Sequence, residues 1–304
     1  MSPTRPATVD VDLGGRPVPV PAGGIYDRYR MATDLDAIAA DPRVRSVDFF
    51  RRLPKRRVDS AIGETLSPNF YYRMSSTRLT LLARSRALRA RLPRELAPLE
   101  VAPGLGLASV VFFRYDVCDI DFYTEAAVAI AVRPARHGGP GVVDLVAGLG
   151  NDHLHSYVLS LPVSSEIARV RGRDGYGFPK WVTELEVDID PTRTVARVAD
   201  DDGRTDLALT VPTPPQRRYA DGARVSSLTS YTRIGGAWHS TLTQVNTFSA
   251  ASATLPRGAA PTLGRGRLSD DLRSLGTLRP VRLDVVTEGQ IALHMPVPIS
   301  MPAA

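Results

Sequence analysis

From Asn69 onward, short apolar segments alternate with turn residues. Leu107–Tyr115, Phe122–Val132, Val142–Leu149 and Leu154–Val163 are rich in Val, Leu, Ile and aromatics, which predicts strands. Leu185, Val187 and Ile189 alternate with Glu184, Glu186, Asp188 and Asp190, the pattern of a half-exposed strand. After the turn Asp200-Asp201-Asp202-Gly203, the residues Leu207, Leu209 and Val211 alternate again, and the pair reads as a hairpin. Arg282–Thr287 and Gln290–Met295, split by Glu288-Gly289, suggest a closing hairpin. Residues 1–68 look different: an irregular lead-in with short helices over Asp34–Ala40 and Val47–Leu53, punctuated by Pro42 and Pro54. Leu81, Leu88 and Leu92, spaced by seven and four, predict the core-facing stripe of one more helix. The expected fold is mainly β, within the α+β class: an antiparallel barrel or sandwich over residues 69–304 with a few peripheral helices. Gly104-Leu105-Gly106 and Gly138-Gly139-Pro140-Gly141 precede strands rather than helices, so neither has the context of a phosphate-binding loop.

Composition narrows the class. The longest strongly apolar run is Ala126–Val132, far short of the roughly 20 residues of a membrane-spanning helix. No apolar stretch follows a basic cluster near the N-terminus, and Cys118 is the single cysteine, which excludes an internal disulfide framework. A soluble, cytoplasmic protein is expected. The net charge is +6, but residues 51–100 hold twelve Lys/Arg against four Asp/Glu, so this segment carries +8 and the rest −2. Arg84, Arg86, Arg89, Arg91 and Arg94 share the helical segment, and a solvated helix face explains them better than nucleic acid does.

The basic residues are unevenly chosen. Of 38 Lys/Arg only Lys55 and Lys180 are lysine. A guanidinium stays protonated, whereas a lysine amine can lose its proton and become a nucleophile. Lys55, inside Arg51-Arg52-Leu53-Pro54-Lys55-Arg56-Arg57, looks interchangeable with its neighbours. Lys180 does not: it ends Arg171-Gly172-Arg173-Asp174-Gly175-Tyr176-Gly177-Phe178-Pro179-Lys180 and precedes Trp181. An ordinary lysine is neutral in about one molecule in 2,500 at pH 7. An aromatic, partly dry setting raises that fraction by disfavouring the ammonium, although a lysine snorkelling to solvent would show the same local sequence.

The segment Gly172–Lys180 resembles the surroundings of the Schiff-base lysine in the acetoacetate decarboxylase family, where Gly-Arg-Glu is followed by aromatic-Pro-Lys. Tyr123-Thr124-Glu125 resembles that family's Tyr-Thr-Glu. Ala87–Pro93 resembles its helix ending in Leu-Pro or Val-Pro, and Leu278–Pro298 its final strands. The likeness covers about residues 70–300. It implies a cone-like β-barrel, a homo-oligomer and a reaction that needs no cofactor and no metal. Lys180 would be the nucleophile and Glu125 the carboxylate that positions substrate or moves protons. Arg73 or Arg78 would bind the substrate carboxylate, with Arg73 the better fit. Phe113, Tyr123, Phe178 and Trp181 could wall the pocket, although each also suits plain core packing, as do Phe112 and Tyr115.

Two departures bear on the substrate. The family's decarboxylases usually follow the lysine with a second one, where this chain has Trp181, and no Asp or Glu lies between Glu100 and Asp116. The expected pocket is therefore less charged than one built for acetoacetate. The resemblance implies a lyase that condenses Lys180 with a small keto acid, by decarboxylation or by aldol, dehydration or cyclisation chemistry on a larger one. A non-catalytic ligand-binding barrel is the alternative from another class. Other constellations are weaker. His153-Leu154-His155 puts two imidazoles on one strand face without a third ligand at a recognisable spacing. No Gly-x-Ser-x-Gly elbow occurs, and Cys118 sits between Asp116 and Asp119, whose charges oppose a thiolate.

Overall fold

The computed structural model describes residues 7–135 and 153–301. The predicted segment Val142–Leu149 lies outside them. The lead-in forms a hairpin of β1 (Thr8–Asp12) and β2 (Pro17–Pro21), helices α1 (Ile25–Tyr29), α2 (Leu35–Ala39) and α3 (Asp48–Arg51), and a second hairpin of β3 (Arg56–Ser60) and β4 (Gly63–Ser67). Next come β5 (Asn69–Arg84), α4 (Ser85–Ala90), β6 (Leu96–Pro98), β7 (Glu100–Ala102), β8 (Leu105–Cys118), β9 (Tyr123–Pro134) and β10 (His153–Ser160). Helix α5 (Glu166–Val170) leads to β11 (Leu185–Ile189), β12 (Arg193–Ala199), β13 (Thr205–Pro212), β14 (Gln216–Arg218), β15 (Val225–Ile234) and β16 (Ala237–Thr254). The chain ends with β17 (Thr262–Leu263), α6 (Arg267–Ser274), β18 (Arg279–Leu293) and β19 (Val297–Pro298).

Seven strands close into a barrel in the order β9-β10-β15-β16-β18-β5-β8, with β8 pairing back onto β9. Every pairing is antiparallel except β10 with β15, which is parallel. A separate antiparallel sheet, β11-β12-β13-β17, covers one side. Alternation along β9 shows how the two meet. Ala126, Val128, Ile130 and Val132 share a core with Leu185, Val187, Val198 and Leu209 of the covering sheet. That sheet is too large for the lumen of a seven-strand barrel, so this face of β9 points outward. Each fully buried Val, Leu or Ile there contributes about 1.5–3 kcal/mol. Tyr123, Glu125 and Ala127 face inward by the period of two.

Three sequence expectations change. The hairpin across Asp200–Gly203 joins β12 to β13, with Leu185–Ile189 as a third, outer strand. Strand β12 escapes a hydropathy reading because its buried positions, Thr194, Ala196, Val198 and Ala199, are mostly small or polar. The closing segments Arg282–Thr287 and Gln290–Met295 are not a hairpin: Glu288-Gly289 is a bulge inside the continuous strand β18. Gly289 is needed there because a side chain would meet Met74 Sδ at 3.1 Å and Asn246 O at 3.2 Å. Finally, Leu81 belongs to β5 rather than to the helix, so two elements packing on one core produced the seven–four spacing.

The lead-in is fastened to the barrel by an ionic knot. Asp119 is fully buried, and its carboxylate accepts from Lys55 Nζ (2.6 Å), Phe70 N (2.6 Å), Tyr72 Oη (2.7 Å) and Thr33 Oγ1 (2.6 Å). Lys55 Nζ also donates to Met31 O at 2.6 Å and lies 4.5 Å from the Phe70 ring centre. Lys55 is therefore not interchangeable with the arginines around it. Burial pushes its amine below the ordinary lysine range, and Asp119 pulls it back. Among the described residues no helix is long and apolar enough to cross a membrane.

Candidate active site

Inside the barrel the second lysine meets another buried carboxylate. Lys180 Nζ lies 2.5 Å from Glu125 Oε2, and both side chains are less than a tenth exposed. Glu125 stands on the inward face of β9, opposite Phe113 of β8. Lys180 arrives from the connection after α5, which Ser165 caps by accepting from Ala168 N. The last turn of α5 widens into a π-helical turn, Arg171–Gly175. Phe178 N then donates to Gly172 O (2.9 Å) and Gly177 N to Arg173 O (3.1 Å), which folds the chain back so that Lys180 crosses over Gly172. A Cβ on Gly172 would fall 2.3 Å from Lys180 Cδ and 2.4 Å from Cε. Only glycine leaves the lysine its path.

Tyrosines cup the pair. Tyr115 Oη donates to Glu125 Oε1 at 3.2 Å, Tyr71 and Tyr123 join hydroxyls at 2.9 Å, and Lys180 Nζ lies 5.7 Å from the Tyr123 ring centre. Burial, with the Glu125 charge adding to it, pushes all three phenols well above the usual tyrosine range. They remain neutral hydrogen-bonding groups through the whole physiological range. A small cavity of about 20 Å³ opens beside Lys180, and Asn69, Tyr71, Tyr123, Arg171, Tyr176 and Phe178 are among its walls. It has room for about one water as the side chains stand.

The other sequence candidates are placed as follows. Tyr123 and Phe178 line this cavity. Phe113 stacks on Tyr115 at 5.6 Å, one layer away from it. Trp181 points to the other side of the chain, beneath Arg267 (5.4 Å), and lines a separate surface cavity of about 250 Å³ with Asp200–Asp202, Asp206 and Asp270. The alternation of a strand-like segment carries it out as Lys180 goes in. Arg73 sits where the register of β5 shifts, and this turns its side chain to Glu288 (3.1 Å) and Asp116 (4.0 Å). Arg78 faces the lumen, and burial pushes its guanidinium below the usual range, with Asp284 opposing. Neither arginine lines the Lys180 cavity. The cationic side chain that does, besides Lys180, is Arg171, which sequence reading passed over as one arginine among 36.

A family model described as acetoacetate decarboxylase matches residues 61–255. The chain belongs to this family. No curated protein matches the sequence. The family match spans β4 to β16 and includes both Glu125 and Lys180. Among solved structures, the acetoacetate decarboxylase of Legionella pneumophila is similar, with 12% identity, a TM-score of 0.55, and 77% of this chain and 88% of that one covered. The enduracididine biosynthesis enzyme MppR, solved with a condensation product of pyruvate and imidazole 4-carboxaldehyde, has 15% identity and a TM-score of 0.55, covering 78% of this chain and 91% of its own. At these identities the likeness is one of fold: the closed barrel is the architecture of acetoacetate decarboxylase-like enzymes.

Proposed function

We propose that this protein decarboxylates a small β-keto acid through an imine on Lys180. The observation that carries the reading is the buried contact between Lys180 Nζ and Glu125 Oε2, with a small cavity beside the lysine. Transfer of the ammonium proton to the carboxylate leaves a neutral amine beside a neutral acid, so no net charge stays buried in the low-dielectric interior. The amine attacks the ketone carbon; the carbinolamine loses water and becomes an iminium. The bond between the α-carbon and the carboxylate then breaks, its electron pair flows into the iminium to give an enamine, and CO2 departs. Glu125, having given its proton to the departing hydroxyl of the carbinolamine, takes another from solvent and delivers it to the enamine carbon, and water hydrolyses the iminium to free the ketone and Lys180. Tyr115, donating to Glu125, holds the carboxylate toward the amine.

A second reading uses the same iminium for aldol or dehydration chemistry. It is supported by the absence of any Asp or Glu among the residues lining the cavity, and by the MppR complex with a pyruvate condensation product. Incubation with acetoacetate and its short homologues, with CO2 and ketone measured, separates the two. Release of CO2 that is lost in Lys180→Arg is the expected result. Condensation of pyruvate with an aldehyde, without CO2 release, would select the second reading. Neither product, with ligand binding unchanged in Lys180→Arg, would leave a non-catalytic barrel.

A further inference from the structure

Arg171 is an unusual arginine. It is 2% exposed, and its Nη1 donates to Thr65 Oγ1 at 3.0 Å from β4 of the lead-in. Its Nη2 is buried and has no hydrogen-bond partner, and Asn69 Oδ1 is a buried acceptor in the same state. Buried polar groups are normally satisfied, and leaving one unmatched costs on the order of a whole hydrogen bond or more. Both unmatched atoms belong to residues that line the Lys180 cavity. The Tyr176 phenol shares this cavity: burial pushes it up to about 12, and the charge and hydrogen bonding of the Arg171 guanidinium work against that rise. An anion entering the cavity meets a guanidinium already desolvated and already held at one end by Thr65. The salt-bridged Arg73 offers nothing comparable.

We infer that Arg171, rather than Arg73 or Arg78, anchors the carboxylate of the substrate, with Nη2 donating to it while Lys180 attacks the carbonyl of the same small molecule. Asn69 contributes the second polar contact, to a hydroxyl or N–H of the carbinolamine. The local fold explains why this arginine can serve. The π-helical turn that begins at Arg171 directs it inward next to Gly172, over which Lys180 lies, whereas Arg173 two positions on is exposed. The cavity walls of Tyr71, Tyr123, Tyr176, Phe178 and Leu293 leave little volume, so the class of substrate is a short keto acid with its carboxylate close to the ketone.

This inference rests on the imine reading, and one experiment separates their failures. Borohydride trapping on Lys180 is compared for acetoacetate and pyruvate against their neutral methyl esters in the full-length protein. A charge-assisted contact predicts a preference of at least about tenfold for the acids. In Arg171→Gln acid and ester should label at similar rates, and Arg171→Lys should restore part of the preference. Equal labelling by acid and ester in the wild-type protein, which needs no variant to fold, overturns the inference and leaves the imine. A preference that persists in folded Arg171→Gln assigns the carboxylate elsewhere and overturns it as well. No labelling by any of the compounds overturns the imine and the inference together.

Discussion

Gly172→Ala is the smallest change that tests the geometry of the site. Gly172 has no positive φ, so alanine suits its backbone, and the new methyl meets chiefly the lysine: 2.3 Å from Cδ, 2.4 Å from Cε and 3.0 Å from Nζ. Ordinary contact requires the lysine to retreat by about 1 Å, and a misplacement of that size costs about 100-fold in rate at a reacting centre. The fold survives the change, because the end of a flexible side chain can yield: overpacking of this kind costs about 1–3 kcal/mol. Rate and stability should therefore separate. Single-turnover imine formation with acetoacetate should fall about 100-fold, while the urea midpoint shifts only modestly. A variant that folds and forms the imine at the wild-type rate would refute the placement of Lys180 over Gly172.

Other expectations follow from the same contacts. Glu125→Gln leaves the Lys180 amine facing a neutral amide and removes its proton acceptor; imine formation should slow and stability drop by about 3–5 kcal/mol. The double variant Glu125→Gln/Lys180→Met should lose less than the two single losses together, and strict additivity in urea unfolding would count against a coupled pair. Lys55→Met strands the buried Asp119 carboxylate and should cost a similar amount, while the folded fraction still labels at Lys180; unchanged stability would contradict the knot at Asp119. Tyr71, Tyr72, Tyr115 and Tyr123 are all held above the unfolded value of 10.0, so their contribution is complete below pH 10 and is lost as pH rises beyond it. Each group adds about 1.4 kcal/mol per pH unit to that loss; Lys55, shifted the other way, offsets one of them up to its unfolded value of 10.5. Absorbance at 295 nm should show these phenols ionising only as the protein unfolds. Four titrations centred at pH 10 in native protein would be the contrary result.

The buried pair of Lys180 and Glu125 was legible because a compositional oddity and a short resemblance converge on it. In a chain of 36 arginines the two lysines stand out, and both hold buried carboxylates. Only one could be interpreted, since both partners are distant in sequence (55 and 64 residues) and the neighbours of Lys55 read as a solvated basic run. Arg171 was hidden for the opposite reason: nothing local distinguishes it, and its meaning comes from a π-helical turn that no hydropathy pattern signals. The strand-rich barrel followed from alternation, but Glu288-Gly289 shows where alternation stops informing. A bulge and a two-residue turn use the same residue types, and only the partners on both sides of β18 decide between them.

The imine on Lys180 is tested by incubating the protein with acetoacetate or pyruvate, reducing with borohydride and mapping the labelled peptides by mass. With two lysines in the chain the assignment has few possible answers. One added group is expected, on Lys180, and none in Lys180→Arg. A label on Lys55, or an unmodified Lys180 with every keto acid tried, would contradict it.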